Sequence, residues 1–418
     1  MIHHIFFILL SSVFLGLGTM SSSSLIVLKK NGIRGFIALI VLLPITNFTQ
    51  IYHTKFQLSI YYFFFIGTTL NSIYKIILRN KVNKNSIIGL CLLVLFLCFY
   101  LFHYLIFIDE QRSVINILKD IKPILLLTIG FLYIPYTRKD IFRFLDQKFI
   151  NRIIKINFIV CSVIYFLMYK FRIDQYISND SYFKINETRY LTLGSYFCVF
   201  YLLNHIFNGK PPSLKYLFYS AMPVILYTGN RTLVLSILIT VLIYYLSKLT
   251  AKKILGIVLS GVGILVSFTF LVNNVNENSG LYRFKSLISY DYLEKALSNR
   301  FSPFFYEFKN SSILDIIFGK GIGKTFFIPW FVYRDNIDDY NIYIDSLYFT
   351  LFLKYGLFSI FIYLIIYNYI RLGNNKNVSI FYMLFFLILS FTNAIVYQFP
   401  FLWILILLAF PFSELDKS

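Results

Sequence analysis

The sequence predicts an all-α polytopic integral membrane protein, with 12–13 transmembrane helices in a single membrane domain over residues 1–418. Hydrophobic residues make up 58% of the chain and charged residues only 14%, and the mean hydropathy is +0.70. Apolar runs near the roughly 20 residues that a helix needs to cross about 30 Å of hydrocarbon recur along most of the chain. This composition excludes a water-soluble globular enzyme. Long continuous runs also exclude a β-barrel, whose strands are alternating segments of about ten residues.

The predicted membrane helices follow one another in chain order with short polar breaks. Their approximate ranges are 4–27, 33–50, 56–78, 86–108, 119–136, 150–171, 190–207, 212–228, 231–247, 254–273, 343–370, 378–394 and 396–412. With 13 spans the amino terminus lies outside the cytoplasm, and with 12 it lies inside. The sequence leaves both counts open.

Basic residues are distributed unevenly between the two sets of loops that alternate along this order. One set holds 21 of the 39 Lys and Arg residues and 4 of the 19 acids, although its loops are short. Because cytoplasmic loops carry an excess of Lys and Arg, this set faces the cytoplasm. The other set contains residues 274–342, a polar stretch that becomes one large loop on the outer face. The placement of the positive charge at membrane boundaries argues against nucleic acid as a partner.

Signals for a metal or a cofactor are absent from the sequence. The glycine-rich run at 319–325 resembles a phosphate-binding loop, but that motif needs glycine at position 318, which is Phe318. The five histidines are scattered over different spans and do not form a metal-binding set. We therefore expect no cofactor and no metal.

Three arginines near the outer membrane boundary are the candidate substrate ligands: Arg189, Arg231 and Arg300. An arginine near hydrocarbon is costly unless it finds a partner, and a guanidinium donates in a rigid fork that matches phosphate oxygens. A lipid diphosphate would supply that partner. For Arg189, an interpretation as a residue that snorkels to headgroups is equally open, and Arg300 is as compatible with a solvated loop charge.

Asp345 is the candidate acid, because it lies where the long apolar run at 343–370 begins. A carboxylate there could accept a proton from a sugar hydroxyl or orient it. The structural alternative is an acid favoured by the amino-terminal end of a helix macrodipole. We retain Asp345 and Arg231 as the candidate catalytic residues.

Several of these elements together resemble the O-antigen polymerase (Wzy) and O-antigen ligase superfamily. They are Arg300, the run IFGKGIG at 317–323, the run DSLYF at 345–349, the run LKYGLF at 353–358, the run TGNRT at 228–232, and Arg189 followed by Gly194. The resemblance covers residues 186–358 in order. Ligases of the superfamily carry a histidine where this chain has Asp345, and this departure favours a polymerase.

The resemblance implies a metal-independent glycosyltransferase with a GT-C-like fold in the bacterial inner membrane, with the loop 274–342 as its large periplasmic loop. Such a polymerase transfers a growing glycan from undecaprenyl diphosphate to the terminal sugar of an incoming lipid-linked repeat unit at the periplasmic face. Arg231 and Arg300 would then bind diphosphate, Arg189 would assist, and Asp345 would orient or deprotonate the acceptor hydroxyl. Membrane lipid and a chain-length-regulating membrane protein are the implied partners. The alternatives are a ligase that transfers glycan to lipid A-core and a flippase or other transporter of lipid-linked oligosaccharides.

Overall fold

The computed structural model describes most of the chain. The described residues are 2–21, 26–42, 66–67, 84–107, 112–171, 192–209, 212–228, 230–248, 290–328, 340–398 and 401–408, with seven single positions between 263 and 284. Over these residues the chain is mostly helical, which confirms the predicted helical class. The predicted span 56–78 falls almost wholly outside the described residues, and so does Arg189.

The helices are numbered α1 to α14 in chain order. They are α1 Ile2–Ser21, α2 Ile26–Leu42, α3 Lys84–Phe107, α4 Val114–Phe144, α5 Gln147–Phe171, α6 Leu193–Phe207, α7 Leu214–Met222, α8 Arg231–Ser247, α9 Tyr290–Lys309, α10 Ile313–Phe318, α11 Leu347–Tyr355, α12 Ser359–Gly373, α13 Lys376–Phe391 and α14 Phe401–Leu408. A π-helical turn, Pro223–Tyr227, continues α7, and a 3-10 turn, Gly356–Phe358, joins α11 to α12. Two short antiparallel strands, β1 Phe326–Phe327 and β2 Tyr340–Asn341, pair Phe326 with Asn341.

Three helices in the described part of the chain are long and apolar enough to cross a membrane. They are Ile87–Leu105, Gln147–Phe171 and the continuous α11–α12 helix Leu347–Gly373. They coincide with the predicted spans 86–108, 150–171 and 343–370. These helices indicate that the protein is associated with a membrane, in agreement with the composition.

The chain divides into two compact units. The first unit comprises Met1–Phe36, Thr54–Phe144 and Leu297–Pro411, and the second comprises Ile37–His53, Leu145–Ala296 and Phe412–Ser418. The predicted loop 274–342 contributes α10, both strands and most of α9 to the first unit. Its described residues therefore have regular structure of their own.

Close helix packing in the first unit depends on small residues. A Cβ added to Gly130 of α4 would lie 2.8 Å from the ring of Tyr369 in α12, and one added to Gly89 of α3 would overlap the ring of Phe131. The rings of Phe131 and Tyr369 also pack edge to face at 5.2 Å. Because apolar lipid gives little hydrophobic drive for helix association, small residues that allow tight van der Waals contact are typical of membrane helix interfaces.

The second unit is built around α6, which is almost completely buried. Thr192 caps this helix, since its side chain accepts a hydrogen bond from the Ser195 N–H at 3.1 Å. Asn157 of α5 lies against the first turn, where a Cβ on Gly194 would overlap its side-chain oxygen. The helix start is therefore defined by a cap and by a glycine that leaves room for a buried amide.

Candidate functional site

Two of the four predicted site residues lie together in the first unit. Arg300 Nε and Asp345 Oδ2 are 3.5 Å apart, and the two side chains are 36% and 31% exposed. Arg300 belongs to α9, and Asp345 lies two residues before α11 begins. The pair therefore lies at one end of the helix Leu347–Gly373, which is long enough to cross a membrane.

A row of phenylalanines fixes α9 against α11. Phe301, Phe304 and Phe308 lie at helical spacing on one face of α9. Phe301 packs edge to face on Phe349 at 5.0 Å, Phe304 stacks on Phe349 at 4.1 Å, and Phe308 lies 6.2 Å from Phe352. These contacts follow one another down both helices, so Arg300 is held at the level of the first residues of α11.

The backbone around Asp345 is held by a buried threonine. The hydroxyl of Thr350 accepts the Ile344 N–H at 2.9 Å and lies 2.8 Å from the carbonyl oxygen of Ser346. Ile344 is buried in an apolar cluster that includes Leu353. Asp345 precedes the N-cap residue Ser346 and so also lies at the positive end of the helix macrodipole. The chain thus fixes the carboxylate from both sides while leaving it partly exposed.

The arrangement provides a cation and an acceptor at adjacent positions. Arginine has five N–H donors, and contact through Nε leaves the donors of both Nη atoms to face another anion. A carboxylate close by can accept a hydrogen bond or a proton from a hydroxyl group. Because both side chains are about one-third exposed, a substrate can reach them.

The glycine-rich segment 319–324 has a structural role. Gly319, Gly321 and Gly323 have φ angles of 80°, 81° and 78°, in the left-handed region that favours glycine. A Cβ on Gly319 would also overlap the carbonyl oxygen of Lys354. The segment therefore needs glycine both for its conformation and for its close approach to the last turn of α11.

The backbone donors of this segment are occupied by the chain itself. The N–H groups of Lys320 and Gly321 donate to carbonyl oxygens in the last turn of α11, at 2.8 and 2.9 Å. The N–H of Gly323 donates to a carboxylate oxygen of Asp120 at 2.6 Å. In a phosphate-binding loop such donors face the phosphate. Here these three donors bond to the chain itself, and the motif spacing also departs from that of a phosphate-binding loop.

A buried ion pair joins α4 to α11 beneath the glycine-rich segment. Lys354 Nζ lies 2.7 and 2.5 Å from the two carboxylate oxygens of Asp120, and both side chains are fully buried. Lys354 also donates to the carbonyl oxygen of Lys324 at 2.8 Å. Its ammonium group lies over the rings of Phe326 and Tyr397, at 5.5 and 5.6 Å from their centroids. The pair connects three separate stretches of the first unit.

A second ion pair ties α9 to the glycine-rich segment. Lys320 Nζ lies 2.6 Å from Glu307 Oε2 and 3.0 Å from the Glu307 carbonyl oxygen. Both side chains are nearly buried, at 12% and 11% exposure. Glu307 lies seven residues after Arg300, two turns along the same helix. The Lys320–Glu307 pair therefore holds the helix that carries Arg300.

Sequence analysis missed Asp120, Lys354, Glu307 and Lys320. A signal for the first pair was present, because Lys354 lies in the middle of an apolar run and Asp120 lies inside the predicted span 119–136. Charged residues within membrane helices usually pair with one another. Such a lysine points to a carboxylate in another span. No comparable signal exists for Lys320 and Glu307, which lie in the predicted polar loop.

The comparison with known protein families covers nearly the whole chain. The profile of a family described as a family of unknown function, DUF6369, matches residues 26–417. The chain belongs to this family. No curated protein and no solved structure matches it. Membership in DUF6369 assigns no activity.

Arg231 of this DUF6369 protein lies in the second unit, at the first position of α8. Asn230 caps the helix by accepting the Leu233 N–H at 3.1 Å, and the Thr228 hydroxyl accepts the Asn230 N–H at 3.0 Å. A π-helical turn, Pro223–Tyr227, comes directly before this capped start. Turns of this kind are frequent at functional sites. The backbone at Arg231 is thus tightly defined, and the residue is half-buried.

Within the described ranges, no group of three or more His, Cys, Asp or Glu side chains is arranged to hold a metal ion. Arg300 is the cation that the structure places beside Asp345.

Proposed function

We propose that this protein is a polysaccharide repeat-unit polymerase of the inner membrane, acting at the periplasmic face. It transfers a growing glycan from undecaprenyl diphosphate to the terminal sugar of an incoming lipid-linked repeat unit. In this proposal the chain has 12–13 membrane helices in a GT-C-like arrangement and needs no metal. The glycan is an O-antigen, a capsule or another exopolysaccharide built from repeat units.

The contact between Arg300 and Asp345 is the observation that carries the proposal. Glycosyl transfer from a diphosphate needs positive charge at the leaving group and a base at the acceptor hydroxyl, a few ångströms apart. Arg300 and Asp345 supply these two groups 3.5 Å from each other. They lie at the end of a candidate membrane helix, where the headgroup of a lipid-linked substrate would lie. The resemblance to the polymerase superfamily selects the same two residues.

The reaction assigns each residue a defined step. The acceptor hydroxyl oxygen attacks the anomeric carbon of the growing chain, and a new glycosidic bond forms. The bond between that carbon and the diphosphate oxygen breaks, and undecaprenyl diphosphate leaves with the electron pair. Asp345 accepts the hydroxyl proton, and the Nη donors of Arg300 stabilise the charge that develops on the diphosphate. Arg231 and Arg189 keep the diphosphate-binding role that the resemblance implies.

Membrane anchoring of both substrates contributes to the rate. The donor and the acceptor each carry a polyprenyl chain, so both diffuse in one plane and present their sugars at one depth. Holding two reactants in the correct geometry removes a large part of an entropic barrier. The protein therefore needs few catalytic groups, and in this proposal they are a small number of arginines and one carboxylate.

A complementation experiment tests the proposal in cells. A strain that lacks the gene receives wild-type protein, Arg300→Ala or Asp345→Asn, and its surface glycan is resolved by length. Both variants should give surface glycan capped with a single repeat unit. Arg371→Ala is the matched control, because Arg371 is an exposed arginine at the opposite end of α12, and it should restore full-length glycan.

Other outcomes would assign a different activity. Loss of all surface glycan, with repeat units stranded in the cytoplasmic leaflet, would indicate a flippase. Long polyprenyl-linked chains that never reach lipid A-core would indicate a ligase. Full-length surface glycan in both variants would refute the proposal, provided that immunoblots show normal amounts of protein.

A further inference from the structure

Large apolar side chains are exposed on α9 and α10, within the segment that the sequence places in an aqueous loop. Phe305 is 62% exposed and Phe308 40% exposed on α9, and Ile313 is 76% and Leu314 65% exposed on α10. Isolated exposed apolar residues are common on protein surfaces. Four of them within ten residues form a contiguous stretch of the kind that marks an interaction surface.

This stretch is packed along a helix that is long enough to cross a membrane. Phe308 lies 6.2 Å from Phe352, and the ring of Phe318 stacks on that of Phe358 at 5.7 Å. The α10 backbone touches Gly356, since a Cβ there would overlap the carbonyl oxygen of Ile317. At 1.5 Å per residue, these contacts extend to about 14 Å beyond the first residue of α11.

A second candidate span contacts the same stretch. Phe318 lies 6.2 Å from Phe99 and 6.3 Å from His103, both in α3. Phe99 and His103 belong to the candidate span Ile87–Leu105. The carboxyl end of α10 therefore packs against two apolar helices, at residues that lie inside the ends of both candidate spans.

The exposed face continues onto the side of α12. Leu357, Ile360 and Leu364 are 59%, 59% and 48% exposed, at the spacing of one helix face. This is the surface that a membrane-spanning helix presents to acyl chains. The exposed residues of α9 and α10 thus extend a lipid-facing surface towards one end of the helix.

The length of the α11–α12 helix sets the level of the membrane boundary. Its 27 residues span about 40 Å, whereas the hydrocarbon core needs about 20 residues. The exposed Arg371 and Lys376 mark the opposite polar end. Counting about 20 residues back from Ile370 reaches Leu351, at the level where Phe308 packs. The core boundary therefore lies beside α9 and α10.

We propose that the second half of α9 together with α10 is an interfacial segment. It lies in the outer membrane boundary with Phe305, Phe308, Ile313 and Leu314 among phospholipid acyl chains. The polar carboxyl end of α9, at the exposed Lys309, and the turn that follows it lie among headgroups, as is typical of amphipathic interfacial helices. Lipid is the occupant because the surface continues that of a candidate span. The proposal concerns membrane contact and holds whatever chemistry Arg300 and Asp345 perform.

Site-directed spin labelling tests this placement in the full-length chain. Ile313→Cys and Phe305→Cys are made singly after the four native cysteines are replaced by alanine, and each labelled protein is placed in nanodiscs of phosphatidylethanolamine and phosphatidylglycerol. Collision with oxygen, which concentrates in the bilayer, is compared with collision with a water-soluble nickel chelate. Leu364→Cys is the control for the bilayer interior and Lys376→Cys the control for water.

The proposal predicts that both test labels favour oxygen over nickel several-fold more than the Lys376 label does. Their depth should be shallower than that of the Leu364 label. Greater access to nickel than to oxygen at both positions would place the segment in water and overturn the proposal. Protection from both reagents would show that another protein surface covers it, which would also overturn the proposal. Because the two side chains are exposed, either label can be introduced without disturbing the core, and the two positions check each other.

Discussion

Removal of the Asp120 carboxylate should destabilise the first unit strongly. In Asp120→Ala the Lys354 ammonium group stays fully buried but loses its carboxylate partner, and it keeps its hydrogen bond to the Lys324 carbonyl oxygen. Breaking a buried ion pair by deleting one partner costs about 3–5 kcal/mol. The Gly323 N–H also loses its acceptor, and an unsatisfied buried donor costs about 1–3 kcal/mol. Since these effects share one site and are not additive, we expect a loss of at least about 3–5 kcal/mol.

A double variant that removes both charges separates the effect of the unpaired Lys354 ammonium group from the other effects of replacing Asp120. In Asp120→Asn with Lys354→Met, no charge remains, and the amide oxygen of asparagine can still accept the Gly323 N–H. Replacement of buried ion pairs by uncharged groups of similar volume is often close to neutral, so stability should return to within about 1–2 kcal/mol of wild type. The single and double variants therefore predict different results at the same site.

Equilibrium unfolding in mixed micelles measures both variants. The free energy of unfolding is obtained from helical circular dichroism over a denaturant titration, with Asp345→Asn as the control carboxylate. That control should cost at most about 1 kcal/mol, because its ion pair is partly exposed. A loss below about 1 kcal/mol in Asp120→Ala, or a double variant no more stable than the single, would refute the assignment of a buried pair.

Three further sets of substitutions test the contacts that hold the candidate site in place. Gly319→Ala should lower the yield of folded protein sharply, because the added Cβ would overlap the Lys354 backbone. Gly209→Ala is the control: Gly209 has a similar positive φ but open space around it, so the substitution should cost only the conformational strain of about 1–2 kcal/mol. Equal losses of stability for the two variants in a thermal-shift assay would contradict this. Glu307→Gln and Lys320→Met should show a coupling energy of about 0.5–3 kcal/mol in a double-mutant cycle, and additive losses would show that the pair contributes nothing. Thr350→Val should cost about 1–3 kcal/mol by removing the acceptor of a buried N–H, whereas Thr350→Ser should recover most of that loss; a serine variant as unstable as the valine variant would place the effect elsewhere.

The sequence predicted the helical class and the position of the three helices that are long enough to span a membrane. Continuous apolar runs carry this information directly, because hydrocarbon requires both length and low charge. The boundaries were less accurate. The predicted span 119–136 is the middle of the longer helix Val114–Phe144. Helix ends outside hydrocarbon tolerate polar residues, so hydropathy does not mark where the helix stops.

The sequence also selected Arg300 and Asp345, which the fold brings into contact. It could not predict that contact, because the two residues are 45 positions apart and meet through the phenylalanine packing between α9 and α11. It predicted one large polar loop over 274–342 and did not predict the helices α9 and α10 within it. Average hydropathy hides an amphipathic helix, since its polar and apolar faces cancel along the chain.

The buried polar contacts of the glycine-rich segment were not predicted. The resemblance marked these glycines as part of a motif. Their structural role depends on positive φ angles and on the close approach of α11, which the sequence does not show. The Asp120–Lys354 pair joins residues 234 positions apart. A single sequence shows that a charge in an apolar run needs a partner, but it does not show which residue that partner is.

The most direct test of the account is polymerisation by the purified protein. Wild-type protein, Arg300→Lys and Asp345→Asn are placed in lipid vesicles with undecaprenyl-diphosphate-linked repeat units and a metal chelator, and product lengths are resolved by electrophoresis. The account predicts long glycan from wild type. It predicts a loss of about 100-fold or more in both folded variants, since removing one stabilising donor costs about 10²–10³ in rate and a general base contributes about 10²–10⁴. Unchanged polymerisation by either folded variant, or an absolute requirement for added metal, would contradict it.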